Sequence, residues 1–298
     1  MRHEIPGILP GEFAVGDTPS GNGVGIPPAG HPIDSLETSE VSAPNDSSAA
    51  ARESAGPRRV AALIRHGHFP RPEDTASGHL IHPLSDEGRR QARDAAPGVV
   101  DAASELGLEL DPVIEASRLL RASQTARILA ETLHERTGRD FEVEDRDELL
   151  ERGLGSCTNL RFDQIEALLE LDPRLDVLPR GWRRIPDFRL PVPGAESLIE
   201  AGHRTADRID ESLRSIPPDA PDCARLFVAH SGCLRHAAVV RDVVPIDAVS
   251  RLTMDFTQVV WIERLRDGTW VKLRGDWSVR DRDAEGGRPS RANEAPER

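Results

Sequence analysis

Arg65, His66 and Gly67 end an apolar run, Val60-Ala61-Ala62-Leu63-Ile64, so a short core strand would deliver a guanidinium and an imidazole to one sheet edge. A guanidinium matches a carboxylate or phosphate through two parallel hydrogen bonds, and an imidazole beside it can act as base or nucleophile. A second run, Phe227-Val228-Ala229, stops in the same style at His230-Ser231-Gly232. If both are central parallel strands, the two histidines open on one crevice. A helix starting just after Gly232 would turn its free N–H groups toward an anion there. Two further pieces carry suitable groups. Arg121 lies in Ser117-Arg118-Leu119-Leu120-Arg121-Ala122, after a strand end and in the first turn of a helix. Glu151 lies in Glu148-Leu149-Leu150-Glu151-Arg152-Gly153-Leu154-Gly155, a glycine-rich loop able to fold over a site.

The elements that must position these groups alternate. Pro112–Ala116 is a short strand, and Ser85 caps a helix with Asp86 and Glu87 in its first turn. Leu119–Arg136 is an amphipathic helix closed by Gly138. Further helices are expected near Phe162–Leu171, Ala195–Leu213 and Leu234–Val244, with strands near Phe141–Val143 and Ala224–Ala229. Gln258–Arg264 and Thr269–Leu273 form a hairpin through Asp267-Gly268. Strands alternating with helices predict a three-layer, doubly wound α/β fold, a mainly parallel sheet with helices on both faces.

The chain has 298 residues and a formal charge of −13. Residues 1–57 and 281–298 are rich in small and polar residues without apolar period, which predicts disordered tails around a domain at 58–280. The acidic balance argues against nucleic acid and against an anionic membrane surface. A few clustered arginines can still hold an anionic substrate. No stretch reaches the ~20 apolar residues of a membrane span, and no basic-then-apolar leader opens the chain. Cys157, Cys223 and Cys233 form neither a disulfide framework nor a zinc motif, so a cytoplasmic protein is expected.

Taken in order, these motifs resemble the histidine phosphatase superfamily in its phosphoglycerate-mutase-like branch. The resemblance rests on Arg65-His66-Gly67, the S-x-L-x-R-A-x-Q-T-A run from Ser117 to Ala126, Leu150-Glu151 with Gly155, and His230-Ser231-Gly232. Leu84-Ser85 with Gly88, Gln91 and Ala92, and Pro193-Gly194-Ala195-Glu196-Ser197, are similar to two more of its motifs. It implies a phosphatase that hydrolyses a phosphomonoester through phospho-His66, without metal or other cofactor. Arg65, Arg121 and His230, with Ser231 and Gly232, would bind the phosphoryl group, and Glu151 would donate and accept the proton. The substrate would be a phosphorylated small molecule or a phosphoprotein; oligomeric state stays open.

Departures shape that expectation. After Gly67 the chain reads His68-Phe69-Pro70-Arg71-Pro72, without the hydroxyl and amide common at this point in mutase-like members. Ser231, not aspartate, follows His230, which leaves Glu151 as proton donor. A mutase-type phosphotransferase is the nearest alternative. His66, His68, His79 and His82 raise a metal-dependent hydrolase, and a catalytically silent binding module is a third. Glu148 could compete with Glu151, and Glu196 is expected to stabilise a helix start. Arg118, Arg183 and Arg184 could extend the positive site, and the Pro-rich stretch 172–193 could set specificity.

Overall fold

In β1 (Arg59–Arg65), Val60, Ala62 and Ile64 face one side, Ala61 and Leu63 the other, and all five are fully buried. A strand covered on both faces carries a continuous apolar run. The structure, a computed structural model, describes residues 56–280 except Glu73. The predicted tails fall outside those residues, apart from Gly56 and Pro57.

β1 pairs in parallel with β4 (Cys223–Ala229), β4 with β2 (Glu109–Ser117), and β2 with β3 (Glu142–Arg146). On its other side β1 pairs antiparallel with β6 (Val259–Arg264), which carries β7 (Trp270–Arg274) as the closing hairpin. The sheet order is therefore β3-β2-β4-β1-β6-β7. A separate ribbon joins β5 (Leu252–Thr253) to β8 (Ser278–Val279).

Helices α1 (Asp86–Glu105) and α2 (Leu120–Thr137) cover one face, packing Val99, Ala126 and Leu129 on Ile64, Ile114 and Val228. On the other face, α4 (Leu198–Ser215) and α5 (Ser231–Val240) pack Ile209, Leu213 and Leu234 on Leu63 and Phe227. The fold is the expected three-layer α/β arrangement. Apart from both of these clusters, α3 (Phe162–Glu170) gathers a satellite core of Leu154, Ile165, Leu169, Trp182 and Leu190.

Local chemistry explains the boundaries. Ser85 caps α1 by accepting from Gly88 N, and Gly138, at φ 69°, ends α2 in the left-handed region. α4 begins at Leu198, not Ala195. Ser197 accepts from Glu200 N while Glu200 reaches back to Ser197 N, a reciprocal cap that fixes the start. Glu196 therefore precedes the helix. It accepts from Gly153 N and pairs with Arg204 at 2.7 Å, tying the Glu151 loop to α4. α5 starts earlier than expected, at Ser231, and ends at Val240, before Asp242 at φ 58° and Pro245.

Two ion pairs are built into the layers. Glu115, fully buried on β2, receives both Nε and Nη2 of Arg208 from α4 at 2.8 and 2.6 Å. Asp111 and Arg225 pair in the same bidentate manner between β2 and β4. Burying such charges requires a partner on every one of them.

Candidate active site

The register of the two central strands creates the site. Arg65 lies opposite Ala229, so the next residues, His66 and His230, emerge side by side at the carboxyl ends of β1 and β4. Their ring centroids are 5.0 Å apart, and both residues are almost wholly buried. β2 ends beside them, bringing Ser117 Oγ to 2.8 Å from His230 Nε2.

Several motif residues act on the backbone of the segment after β1. Thr125 Oγ1 accepts from Gly67 N at 3.0 Å, Gln91 Oε1 from His68 N at 2.8 Å, and Gln124 Oε1 from Leu84 N at 2.8 Å. Gly67 and Gly88 let this segment lie against the start of α1, since a Cβ on Gly88 would stand 2.0 Å from His68 O. The result is a rigid frame for His66.

Hydrogen-bond chemistry sets both imidazole tautomers. His66 Nδ1 faces Gly67 O at 2.7 Å, and a carbonyl can only accept, so Nδ1 carries the proton and Nε2 keeps its lone pair. Arg121 Nε donates to that Nε2 at 3.2 Å. Arg121 Nη2 reaches His230 Nδ1 at 3.0 Å, which makes Nδ1 the acceptor and leaves Nε2–H for Ser117. Burial first, then the Arg121 charge, holds each imidazole pKa well below its ordinary value. Both rings are therefore neutral near pH 7.

The arginines are anchored by neutral groups. Arg121 donates to Leu80 O and Gly78 O, at 2.9 and 2.7 Å, and lies 4.6 Å over the Phe69 ring. Arg65 donates to Met254 O and lies 4.0 Å over Phe256. Burial is the first cause lowering both guanidinium pKa values to about 10. Phe69 and Phe256 also flank His66, at 5.4 and 5.8 Å between ring centroids.

Glu151 is fixed by backbone amides. Oε2 accepts from Gly232 N at 2.9 Å, and Oε1 accepts from Cys233 N at 3.1 Å and Arg152 N at 2.9 Å. The first two are free N–H groups at the start of α5. A Cβ on Gly232 would come within 2.2 Å of Glu151 Oε1, so only glycine allows this approach.

One cavity of about 400 Å³ opens on this group, lined by Arg65, His66, Arg121, Glu151, Ser231 and Gly232 among others. His230 is not in the lining; it stands behind Arg121. Arg183 and Arg184 line the cavity, so the middle of the Pro-rich stretch forms part of its wall, and Phe162, before that stretch, lines it too. Arg118 lies outside, exposed and paired with Asp147 at 3.0 Å. Glu148 is exposed; its backbone oxygen serves Arg204 and Thr205.

The four histidines weighed as metal ligands diverge. His68 Nδ1 meets Ser85 Oγ and His79 Nε2 meets Glu151 O, both at 2.7 Å. Among the described residues, no three His, Cys, Asp or Glu side chains group as metal ligands.

Sequence reading passed over Phe256, Arg235, Arg280 and His236, all close to the site. Phe256 sits in a loop with no period to flag it. Arg235 had a usable signal: on a helix starting at Ser231 it falls one turn on, on the same face.

Comparison with known proteins bears on the family and the fold. The sequence pattern of the histidine phosphatase superfamily (branch 1) matches residues 61–276. Among solved structures, a mycobacterial hydrolase aligns with TM-score 0.56 at 24% identity, covering 74% of this chain and 100% of its own. Mycobacterial glucosyl-3-phosphoglycerate phosphatase aligns with TM-score 0.54 at 25% identity, over 74% of this chain and 98% of its own. A phosphoglycerate mutase from Bacillus anthracis shares the fold, with TM-score 0.55 at 18% identity over 74% and 94%. No curated protein matches the chain.

Proposed function

Because this chain belongs to the histidine phosphatase superfamily, we propose that it hydrolyses phosphomonoesters through a covalent phosphohistidine on His66. The observation that carries this reading is the unprotonated Nε2 of His66, held at the cavity wall with Arg121 aimed at it. A buried, neutral imidazole is a competent nucleophile at pH 7.

In the first step the Arg121 Nε–H leaves His66 Nε2 for an oxygen of the incoming phosphoryl group, the freed Nε2 bonds to phosphorus as the ester P–O bond breaks, and Glu151 gives its proton to the leaving oxygen. Arg65 and Arg121 hold the equatorial oxygens where charge is spread in the transition state. His230 completes the surround from behind Arg121, while Ser231 closes the base of the pit and the Gly232 amide stays on Glu151. In the second step water attacks phosphorus, Glu151 takes its proton, and the N–P bond breaks to release inorganic phosphate. The proton taken from water restores Glu151 for the next cycle.

The guanidinium groups supply the positive charge, so the mechanism needs no metal. Transfer to a second substrate oxygen, as in a mutase, would use the same first step. The three free, buried cysteines support a reducing, cytoplasmic setting. Among the described residues, no helix is long and apolar enough to cross a membrane. The test is to quench turnover of a radiolabelled phosphomonoester and look for acid-labile phosphate on the protein. Label on His66, absent from His66→Ala, is expected, with turnover unaffected by chelator and inhibited by vanadate. Turnover lost in chelator and no trapped label would overturn the reading.

A further inference from the structure

The stretch 172–193 lines two cavities. The second, of about 330 Å³, is bounded by α3 and by residues 175–182, with Leu169, Leu175 and Leu178 in its lining and Trp182 as its aromatic wall. Trp182 is only 2% exposed, held in the satellite core that Leu175 and Leu178 pack against. Apolar side chains continue from this cavity to the surface. Val177, in the lining, is 84% exposed, and Leu171, one residue past α3, is 78% exposed. Apolar groups gathered in the open mark a place where something binds.

The charges around this cavity are mostly of one sign. Glu166, Glu170 and Asp176 line it against one basic side chain, Arg180. Among the described residues, no cation forms a salt bridge with any of these three carboxylates. α3 ends at Glu170 with no basic residue in its last turn, so the negative end of the helix backbone adds to their field. Trp182 Nε1 donates to Glu166 Oε1 at 3.0 Å, which ties one carboxylate to the indole. A cation entering here meets carboxylates and an aromatic ring together. Among the described residues, no three His, Cys, Asp or Glu side chains converge as metal ligands, so the arrangement suits a diffuse organic cation better than a compact metal ion. A second copy of the chain would set carboxylate against carboxylate.

We infer that this cavity binds a small organic cation, an ammonium group on an apolar or aromatic body, and that its seating is felt at the catalytic cavity. The volume is of the size that takes small molecules. Trp182 opens a single 3-10 turn, Trp182–Arg184, whose Arg183 and Arg184 line the catalytic cavity. Arg183 lies 4.4 Å over the ring of Phe162, which lines that cavity too, and the Phe162 and Trp182 rings meet edge-on at 6.1 Å. A ligand pressed on Trp182 therefore bears on the catalytic wall, and the two sites share a coupling free energy. The coupling rests on the phosphatase reading of the catalytic cavity; the binding does not.

The test uses the full chain. Calorimetry is expected to show 2-phenylethylamine, protonated at pH 7, binding with Kd on the order of 1 mM or tighter. It should bind at least ~5-fold tighter than 2-phenylethanol, which has the same size without the charge. Glu170→Gln with Asp176→Asn, both at exposed positions where folding is not at stake, should remove most of that preference. Glu131→Gln, at an exposed position on α2 outside the cavity, should leave it as it is. Saturating amine should shift KM for an aryl phosphate at least ~2-fold, and should not do so in the double variant.

Equal affinity for amine and alcohol, or binding of neither, overturns the site. An equal loss in Glu131→Gln also overturns it, because it marks non-specific attraction to an acidic chain. Amine binding through Glu170 and Asp176 with an unchanged KM upholds the site and overturns the coupling. No turnover of any ester, with the amine still preferred through those two carboxylates, overturns the phosphatase reading and upholds the site.

Discussion

Arg121 donates from Nε to Nε2 of His66 across 3.2 Å, and its Nη2 reaches Nδ1 of His230 at 3.0 Å, so one guanidinium sits between the lone pairs of two neutral imidazoles. Arg121→Ala is expected to lower kcat/KM on an aryl phosphate by ~100-fold or more, as for loss of a transition-state donor. Arg121→Lys should not restore it, because an ammonium cannot span both rings and the carbonyls of Gly78 and Leu80. Near-normal kinetics in either variant, with an unchanged circular dichroism spectrum, would contradict the geometry.

Gly232→Ala is a probe of Glu151 that leaves Glu151 itself in place. The added methyl would meet Oε1 at 2.2 Å and push the carboxyl off the α5 amides. Turnover of a poor leaving group, which needs the proton, should fall ~10-fold or more. Turnover of a nitrophenyl ester should fall less, since that leaving group needs little protonation. Equal losses on the two substrates would falsify the proton-donor role.

The buried imidazoles set how stability depends on pH. His66 and His230 have pKa values well below 6.5, and His236 is lowered to about 4, by burial first in each case. Between those folded-state values and the unfolded value of about 6.5, the unfolded chain binds more protons. Stability is therefore complete above about pH 6.5 and falls as pH drops below it, by at most ~1.4 kcal/mol per pH unit for each imidazole. Denaturant midpoints across pH 4–8 report this, and a flat profile would refute it. For the same reason no acidic limb near pH 6.5 in kcat/KM should arise from His66.

Glu115 and Arg208 test the layers apart from the site. Arg208→Met leaves the Glu115 carboxylate buried without its bidentate partner, which should cost roughly 3–5 kcal/mol. Glu115→Met with Arg208→Met should recover most of that, because two apolar side chains replace two desolvated charges. Thermal melts of the single and double variants decide it, and a double variant no better than the single would rule it out. Activity per folded molecule should not change.

Much of this was legible in the chain itself. The apolar run of β1 and the matching run of β4 announced buried parallel strands, because strands covered on both faces carry no polar alternation. Their polar ends, His66 and His230, followed directly. Helix limits were read less well, since Ser197 with Glu200 fixes the start of α4 by side-chain capping that competes with apolar period.

The sequence alone singled out residues that the fold gathers at one sheet edge, because motif order and strand-end position depend on local patterning. Only the tertiary structure decided how they are arranged. Register put the two imidazoles 5.0 Å apart, and Gly67 O assigned the His66 tautomer. Packing of α5 brought Arg235 to the cavity, and the pairing of β8 with β5 brought Arg280 there from a distant segment. Such convergence is a property of three-dimensional packing between residues remote in the chain, and no local pattern encodes it.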